Sequence, residues 1–139
     1  MEIRPKKGYG TLKFGIDKNK VKELVGEPNE IELMDEEEFS AHIWHYWDKG
    51  MSIFFDEDDF TKFTSIEIDD NTARLYGKDV FKLSESEIID LMKANGYSEI
   101  DTEVHEWGEK RISFDDAFID FYFDGDKLSS INFGLIEED

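Results

Sequence analysis

Apolar residues recur along this chain with two alternating periods. Val21, Leu24 and Val25 stand at the i, i+3, i+4 spacing of one buried helix face, and Ile88, Leu91 and Met92 repeat that spacing. Asp17 and Ser84 precede the two stretches as N-caps. Ser84-Glu85-Ser86-Glu87 has the capping-box pattern, in which Ser84 and Glu87 satisfy two orphan amides reciprocally. Gly26 followed by Pro28 ends the first helix, and Asn95-Gly96 ends the second.

After each helix the period drops to two. Strands are predicted over residues 43–47 and 51–55 around an Asp48-Lys49-Gly50 turn, and over 63–68 after the acidic turn 56–59. A second set follows over 111–114, 118–123 and 128–133. Its turns are Asp115-Asp116 and Asp124-Gly125-Asp126, and Asp-Gly is a strong hairpin signal. Residues 30–38 read as a loop or a strand edge whose charge discourages edge pairing. Residues 99–107 read as an additional strand or a loop.

The same features occur twice in the same order. Residues 10–17 lie over 77–84, 52–56 over 120–124, and 65–68 over 130–133. The expectation is an α+β protein of two tandem repeats, each a short helix packed on a three- to four-stranded antiparallel sheet. Repeat one covers 8–70 and repeat two 75–136, within a single compact domain over 1–139.

Alternation also assigns faces. Trp44, Tyr46, Ile53, Phe55, Ile66 and Ile68 are expected to face the first helix. Ile112, Phe114, Ile119, Phe121, Phe123, Ile131 and Phe133 are expected to face the second. The opposite face then carries Ile43, His45, Trp47, Phe54 and Glu67 in one half, and Arg111, Ser113, Phe118, Asp120, Tyr122 and Asn132 in the other. A solvated face is mostly polar. Aromatics among polar groups are the composition of an interaction surface. The plainer reading is that they pack against the other repeat or a dimer mate.

Charge sharpens the choice of partner. Sixteen Lys and Arg against 35 Asp and Glu give a net charge of −19. That field repels nucleic acid and anionic membranes and favours basic partners; equally, it keeps a protein soluble. There is no cysteine, which excludes disulfides and thiolate metal sites. No apolar run approaches the ~20 residues of a membrane span, and residues 1–7 are not followed by the apolar segment of a signal peptide. A soluble, cytoplasmic protein is expected, a monomer or weak homodimer.

The segment from Phe14 to Pro28, with Gly15-Ile16-Asp17, Val21, Leu24-Val25-Gly26 and Pro28, resembles the helix motif of BamE-like domains. The sheet residues Trp44-His45-Tyr46 and Ile53-Phe54-Phe55-Asp56 that follow are similar to that family too. Two such units in tandem resemble the architecture of the beta-lactamase inhibitor protein. The likeness spans roughly residues 10 to 134, although the second unit loses the Gly-x-Pro stop and the lipid-anchoring cysteine of the outer-membrane members is absent. The resemblance implies a non-enzymatic binding domain. Small, acidic, cysteine-free proteins of this kind are also similar to immunity proteins of bacterial toxin systems. These folds share no catalytic motif, so no family site residue carries over.

Candidate chemistry is thin. His42 and His45 sit on opposite faces of one strand, and His105 is remote, so no metal is expected. Asp56-Glu57-Asp58-Asp59 fails the EF-hand template: Thr61 stands at the sixth position, where glycine belongs, and Glu67, at the twelfth, lies in a strand. There is no cysteine nucleophile, no Gly-x-Ser-x-Gly elbow and no phosphate-cradling glycine loop. No cofactor and no catalytic residue are expected. Glu36-Glu37-Glu38 and Glu137-Glu138-Asp139 are solvated, or else imitate a phosphate backbone toward a basic nuclease.

The leading expectation is a non-catalytic acidic binding protein that inhibits a basic toxin or enzyme. Its contacts are His45, Trp47, Phe54, Asp120 and Tyr122, with Asp56, Asp58 and Asp59 steering the approach. Two alternatives are an envelope-assembly or structural adaptor and a small-molecule-binding domain. The outward residues differ between the halves, with Ile43, His45 and Trp47 against Arg111, Ser113 and Asp115. That divergence points to one asymmetric surface.

Overall fold

The structure, a computed structural model, describes residues 1–36, 39–55, 62–106 and 108–134. Three short strands come first: β1 (Glu2–Arg4), β2 (Gly8–Tyr9) and β3 (Leu12–Lys13). Helix α1 (Lys18–Val25) precedes β4 (Glu30–Glu36), β5 (Phe39–Tyr46), β6 (Met51–Phe55) and β7 (Phe63–Ile68). The short strands β8 (Arg74–Leu75) and β9 (Lys78–Asp79) lead to α2 (Glu85–Ala94). The chain continues through β10 (Asp101–Val104), β11 (Glu109–Phe114), β12 (Ile119–Asp124) and β13 (Lys127–Gly134).

Both helices start where the caps place them. Asp17 accepts from the Lys20 amide at 2.8 Å. Ser84 accepts from the Glu87 amide at 3.2 Å while the Glu87 carboxylate accepts from the Ser84 amide at 3.0 Å, which completes the capping box. The Gly26 amide closes α1 on the Lys22 carbonyl. The buried faces are narrower than the spacing predicts. Val21, Ile88 and Met92 are buried, whereas Leu24 is 37% exposed.

The expected pair of helix-on-small-sheet repeats is corrected. The long strands form one continuous eight-stranded sheet in the order β10-β11-β12-β13-β7-β6-β5-β4, because β13 pairs antiparallel with β7, Ile131 opposite Ile68 and Phe133 opposite Ile66. The short strands form a second, five-stranded sheet, β3-β2-β1-β8-β9, in which β1 and β8 run parallel. The protein is therefore mostly β, with two α-helices against two sheets. The physical reason is edge closure. Left apart, β7 and β13 would each expose a row of unpaired amides and carbonyls beside apolar side chains, and pairing them removes both edges at once.

Local boundaries shift, most clearly at two turns. Trp47 begins a 3-10 turn, Trp47–Lys49, rather than ending a strand. Phe118 follows the similar turn Asp115–Ala117 in a left-handed conformation, φ 53, and β12 starts after it. The segments left open as strand or loop become β4 and β10, the two outer strands of the large sheet. Trp107 lies outside the described residues.

One core lies on the helix side of the large sheet. Trp44, Tyr46, Ile53, Phe55, Ile66, Ile68, Ile112, Phe114, Ile119, Phe121, Phe123, Ile131 and Phe133 are all buried there. Val21, Ile88 and Met92 of the helices pack on them, as do Ile3, Tyr9, Leu12 and Leu75 of the small sheet. Tyr9 meets Phe133 edge-on at 6.1 Å, and Phe14 lies 4.9 Å from Phe63 and 6.0 Å from Phe133. Each large apolar side chain buried this way contributes about 1.5–3 kcal/mol. The helices and small sheet thus cover one face of the large sheet, and among the described residues no helix or second sheet covers the other.

Candidate functional site: the open face of the large sheet

Registers across the eight strands align one row of side chains on the open face. It reads Glu30, His45, Ser52, Glu67, Asn132, Asp120, Ser113, Asp101 from β4 to β10. Every member is polar. At ~4.8 Å between strands the row is ~34 Å long. Above it in β4 to β13 run Glu32, Ile43, Phe54, Ser65 and Gly134. On its other side in β10 to β13 run Glu103, Arg111, Tyr122 and Ser130.

His45 anchors one end. The ring is only 8% exposed. Its Nε2 is 2.9 Å from Glu32 Oε1 and its Nδ1 is 2.7 Å from Ser52 Oγ. A carboxylate only accepts, which assigns the proton of the neutral ring to Nε2 and makes the Ser52 hydroxyl the donor to Nδ1. Trp47 covers the ring in a parallel stack and is itself 59% exposed. A serine, a histidine and a carboxylate in line have the connectivity of a proton relay. Ser52 nevertheless sits inside the ladder, opposite His45 on one side and Glu67 on the other. Interior strand amides are taken up by sheet pairing. The arrangement positions a rigid indole.

The middle and far end of the row are anionic. Glu67 is exposed, yet its carboxyl is held above the usual range. Partial desolvation pushes it up, and Asp69 and Glu109 add to this while His45 opposes it. The Tyr122 hydroxyl is also pushed up, first by burial and then by Asp120; Arg111 opposes, and Glu67 and Glu109 add to the rise. Among the described residues, Glu67 and Asp120 make no ion pair. Arg111 is instead held at the rim, 3.3 Å from Asp101 and 3.1 Å from Glu103. The Ser113 hydroxyl is buried beside Asp120 with no hydrogen-bond partner among the described residues.

The sequence-derived contacts therefore fall into two groups on one face. His45, Trp47 and Phe54 stand on the β5–β6 side, and Asp120 and Tyr122 on β12, four strand spacings or ~19 Å from β5. His45 lies beneath Trp47 rather than at the surface, and Phe54, Asp120 and Tyr122 are half-buried. Ile43 and Ser113, assigned to the solvent side, are buried on it. Asp56, Asp58 and Asp59 lie outside the described residues. Glu32 and Ser52, which fix His45, were not foreseen. Alternation puts Glu67 and Asn132 on this face, but only the β7–β13 pairing brings them to its centre.

His42 points the other way. Lys18 Nζ lies 2.8 Å from its Nδ1, and Lys18 and Lys22 stand 5.9 Å and 5.4 Å over the Trp44 ring. Among the described residues no three His, Asp or Glu side chains converge to hold a metal, and no helix is long and apolar enough to cross a membrane. A hollow lined by Asp69, Phe81, Asp124 and Lys127, among others, opens beside β13.

No protein-family model matches the sequence, and no curated protein matches it either. Among solved structures, the chain is similar to an extracellular protein containing an SCP domain from Bacillus anthracis str. Ames, with a TM-score of 0.52 and 14% identity. The match covers 87% of this chain and 43% of that one. At that identity the likeness concerns the fold alone, and this chain spans less than half the length of its structural neighbour.

Proposed function

We propose that the protein is a non-catalytic binding protein that docks the open face of its large sheet on a basic protein and blocks it, as an immunity protein blocks a bacterial toxin. The observation that carries this reading is the pair of carboxylates, Glu67 and Asp120, that make no ion pair among the described residues and stand in the middle of a continuous face. Trp47, Phe54 and Tyr122 flank them. Basic side chains of a partner would neutralise the carboxylates, and the aromatics would supply the buried contact area that dominates such interfaces. The net charge of −19 would speed the encounter. A protein of this kind guards its own cell from the cytoplasm.

The test is capture from extracts of the native host with the wild-type protein and with a Trp47→Ala/Tyr122→Ala variant. The expected result is one basic protein recovered by the first and lost by the second, with association slowing as salt rises. Recovery that ignores both the variant and the salt would refute the reading.

A second reading is an adaptor module acting outside the cytoplasm. It is favoured by the fold's likeness to part of a longer extracellular protein. Cell fractionation separates the two, because an extracytoplasmic pool supports the adaptor and its absence supports the inhibitor.

A further inference from the structure

β4 and β10 are the two outer strands of the large sheet, and among the described residues each is paired on one side only. The unpaired side of such a strand is a ready template for another chain. The two edges differ in what their side chains already hold. On β10, Asp101 and Glu103 project onto the open face and both bind Arg111. On β4, Glu30 and Glu32 stand opposite His45 and Ile43 on that same face, and no lysine or arginine pairs with either among the described residues. β4 also turns Ile31 and Leu33 to the helix side, opposite Trp44 and His42. These two side chains are 54% and 66% exposed, since α1 covers Trp44 but not the strand beyond it. This edge therefore alternates acidic and uncovered apolar side chains from Glu30 to Leu33, Glu32 being hydrogen-bonded to His45 and neither acid facing a lysine or arginine among the described residues.

We propose that β4 accepts an extended segment of another protein as a further strand, one whose residues alternate between basic and apolar. Its basic side chains lie over the open face against Glu30 and Glu32, while its apolar side chains cover Ile31 and Leu33. The backbone ladder supplies affinity without regard to sequence, and the alternation supplies the choice of partner. Strand-edge charge usually guards against association; here it guards selectively. It sets acid against acid if a second copy offers its own β4, and acid against base for the segment proposed. The site lies at the rim and does not depend on docking across the face.

The test is an NMR titration of the 15N-labelled full chain with a blocked, alternating Lys-Val peptide as long as β4, which has 7 residues. A peptide of the same composition with its lysines and valines in two blocks is the control. Amide shifts confined to β4 and its neighbour β5, with at least tenfold tighter binding of the alternating peptide, are expected. Leu33→Lys, at an exposed position, should weaken that binding tenfold or more, and Tyr122→Ala should leave it unchanged. Shifts at β10 or on the open face, equal affinity for both peptides, or no shift at β4 would each overturn the proposal. Because Tyr122→Ala removes one of the two aromatics whose joint loss is expected to abolish capture of the basic partner, yet should spare the peptide, the edge and the face fail separately.

Discussion

Trp47 lies flat on His45, with ring centroids 4.2 Å apart and planes 9° from parallel. The stack explains how a histidine on the solvent side of a sheet is nearly inaccessible. It also gives the indole a fixed outer surface, since Glu32 and Ser52 lock the ring beneath. A preorganised aromatic of this kind is what binding hot spots are made of. Trp47→Ala should weaken binding of the basic partner at least tenfold, while urea denaturation shows a loss below about 1 kcal/mol, as for other substitutions at exposed positions. Undiminished affinity in the folded variant would remove Trp47 from the contact surface.

The buried Ser113 hydroxyl carries a desolvation cost with no hydrogen bond in return among the described residues. Removing such a group is neutral or stabilising, by up to about 1 kcal/mol. Ser113→Ala should therefore match or exceed the wild type in urea midpoint. A clear loss of stability would mean that the hydroxyl is satisfied after all.

Gly50 and Gly125 both adopt φ 63, but only one has close neighbours. A Cβ on Gly50 would lie 2.9 Å from the backbone of Asp70, whereas a Cβ on Gly125 meets nothing within 4 Å. Gly125→Ala should cost about 1 kcal/mol from the left-handed backbone alone. Gly50→Ala should cost at least about 1 kcal/mol more through steric clash. Thermal or urea unfolding of the two variants reads the difference directly, and equal losses would contradict the close approach.

Glu67 makes stability depend on pH in an unusual direction for a carboxylate. Its folded-state value is raised by desolvation, Asp69 and Glu109. The folded protein therefore holds this proton more tightly than the unfolded chain. Its contribution to stability is favourable below the unfolded value and is lost as pH rises through the folded one. Glu67→Gln should raise the unfolding midpoint at neutral pH and change it little in the acid range. A variant less stable than wild type at neutral pH would show that the carboxylate is compensated. Partner binding should reverse the shift, so Glu67→Gln should also weaken the complex.

Much of this was legible in the chain because it is local. The capping box at Ser84 and Glu87, the stop at Gly26 and the alternation along β6 and β12 each involve residues a few positions apart, whose geometry follows from backbone period alone. The same locality explains the misses. Strands of two residues, such as β2, β3, β8 and β9, are too short for any period to register. Leu24 has the right spacing for a buried face, yet it stays exposed, because spacing fixes the face of a helix and not how far its neighbours reach over it.

What the sequence determined by itself is which side of each long strand is apolar, and hence that a core forms on one face of a sheet. It could not determine how many sheets there are. That rests on Ile66 and Ile68 meeting Phe133 and Ile131 from the far half of the chain, and strand edges present the same amides and carbonyls whatever their side chains. Tertiary structure alone joined the edges. By doing so it turned two short surfaces into one, placed Glu67 beside Asn132 and Asp120, and made β4 and β10 the outer strands.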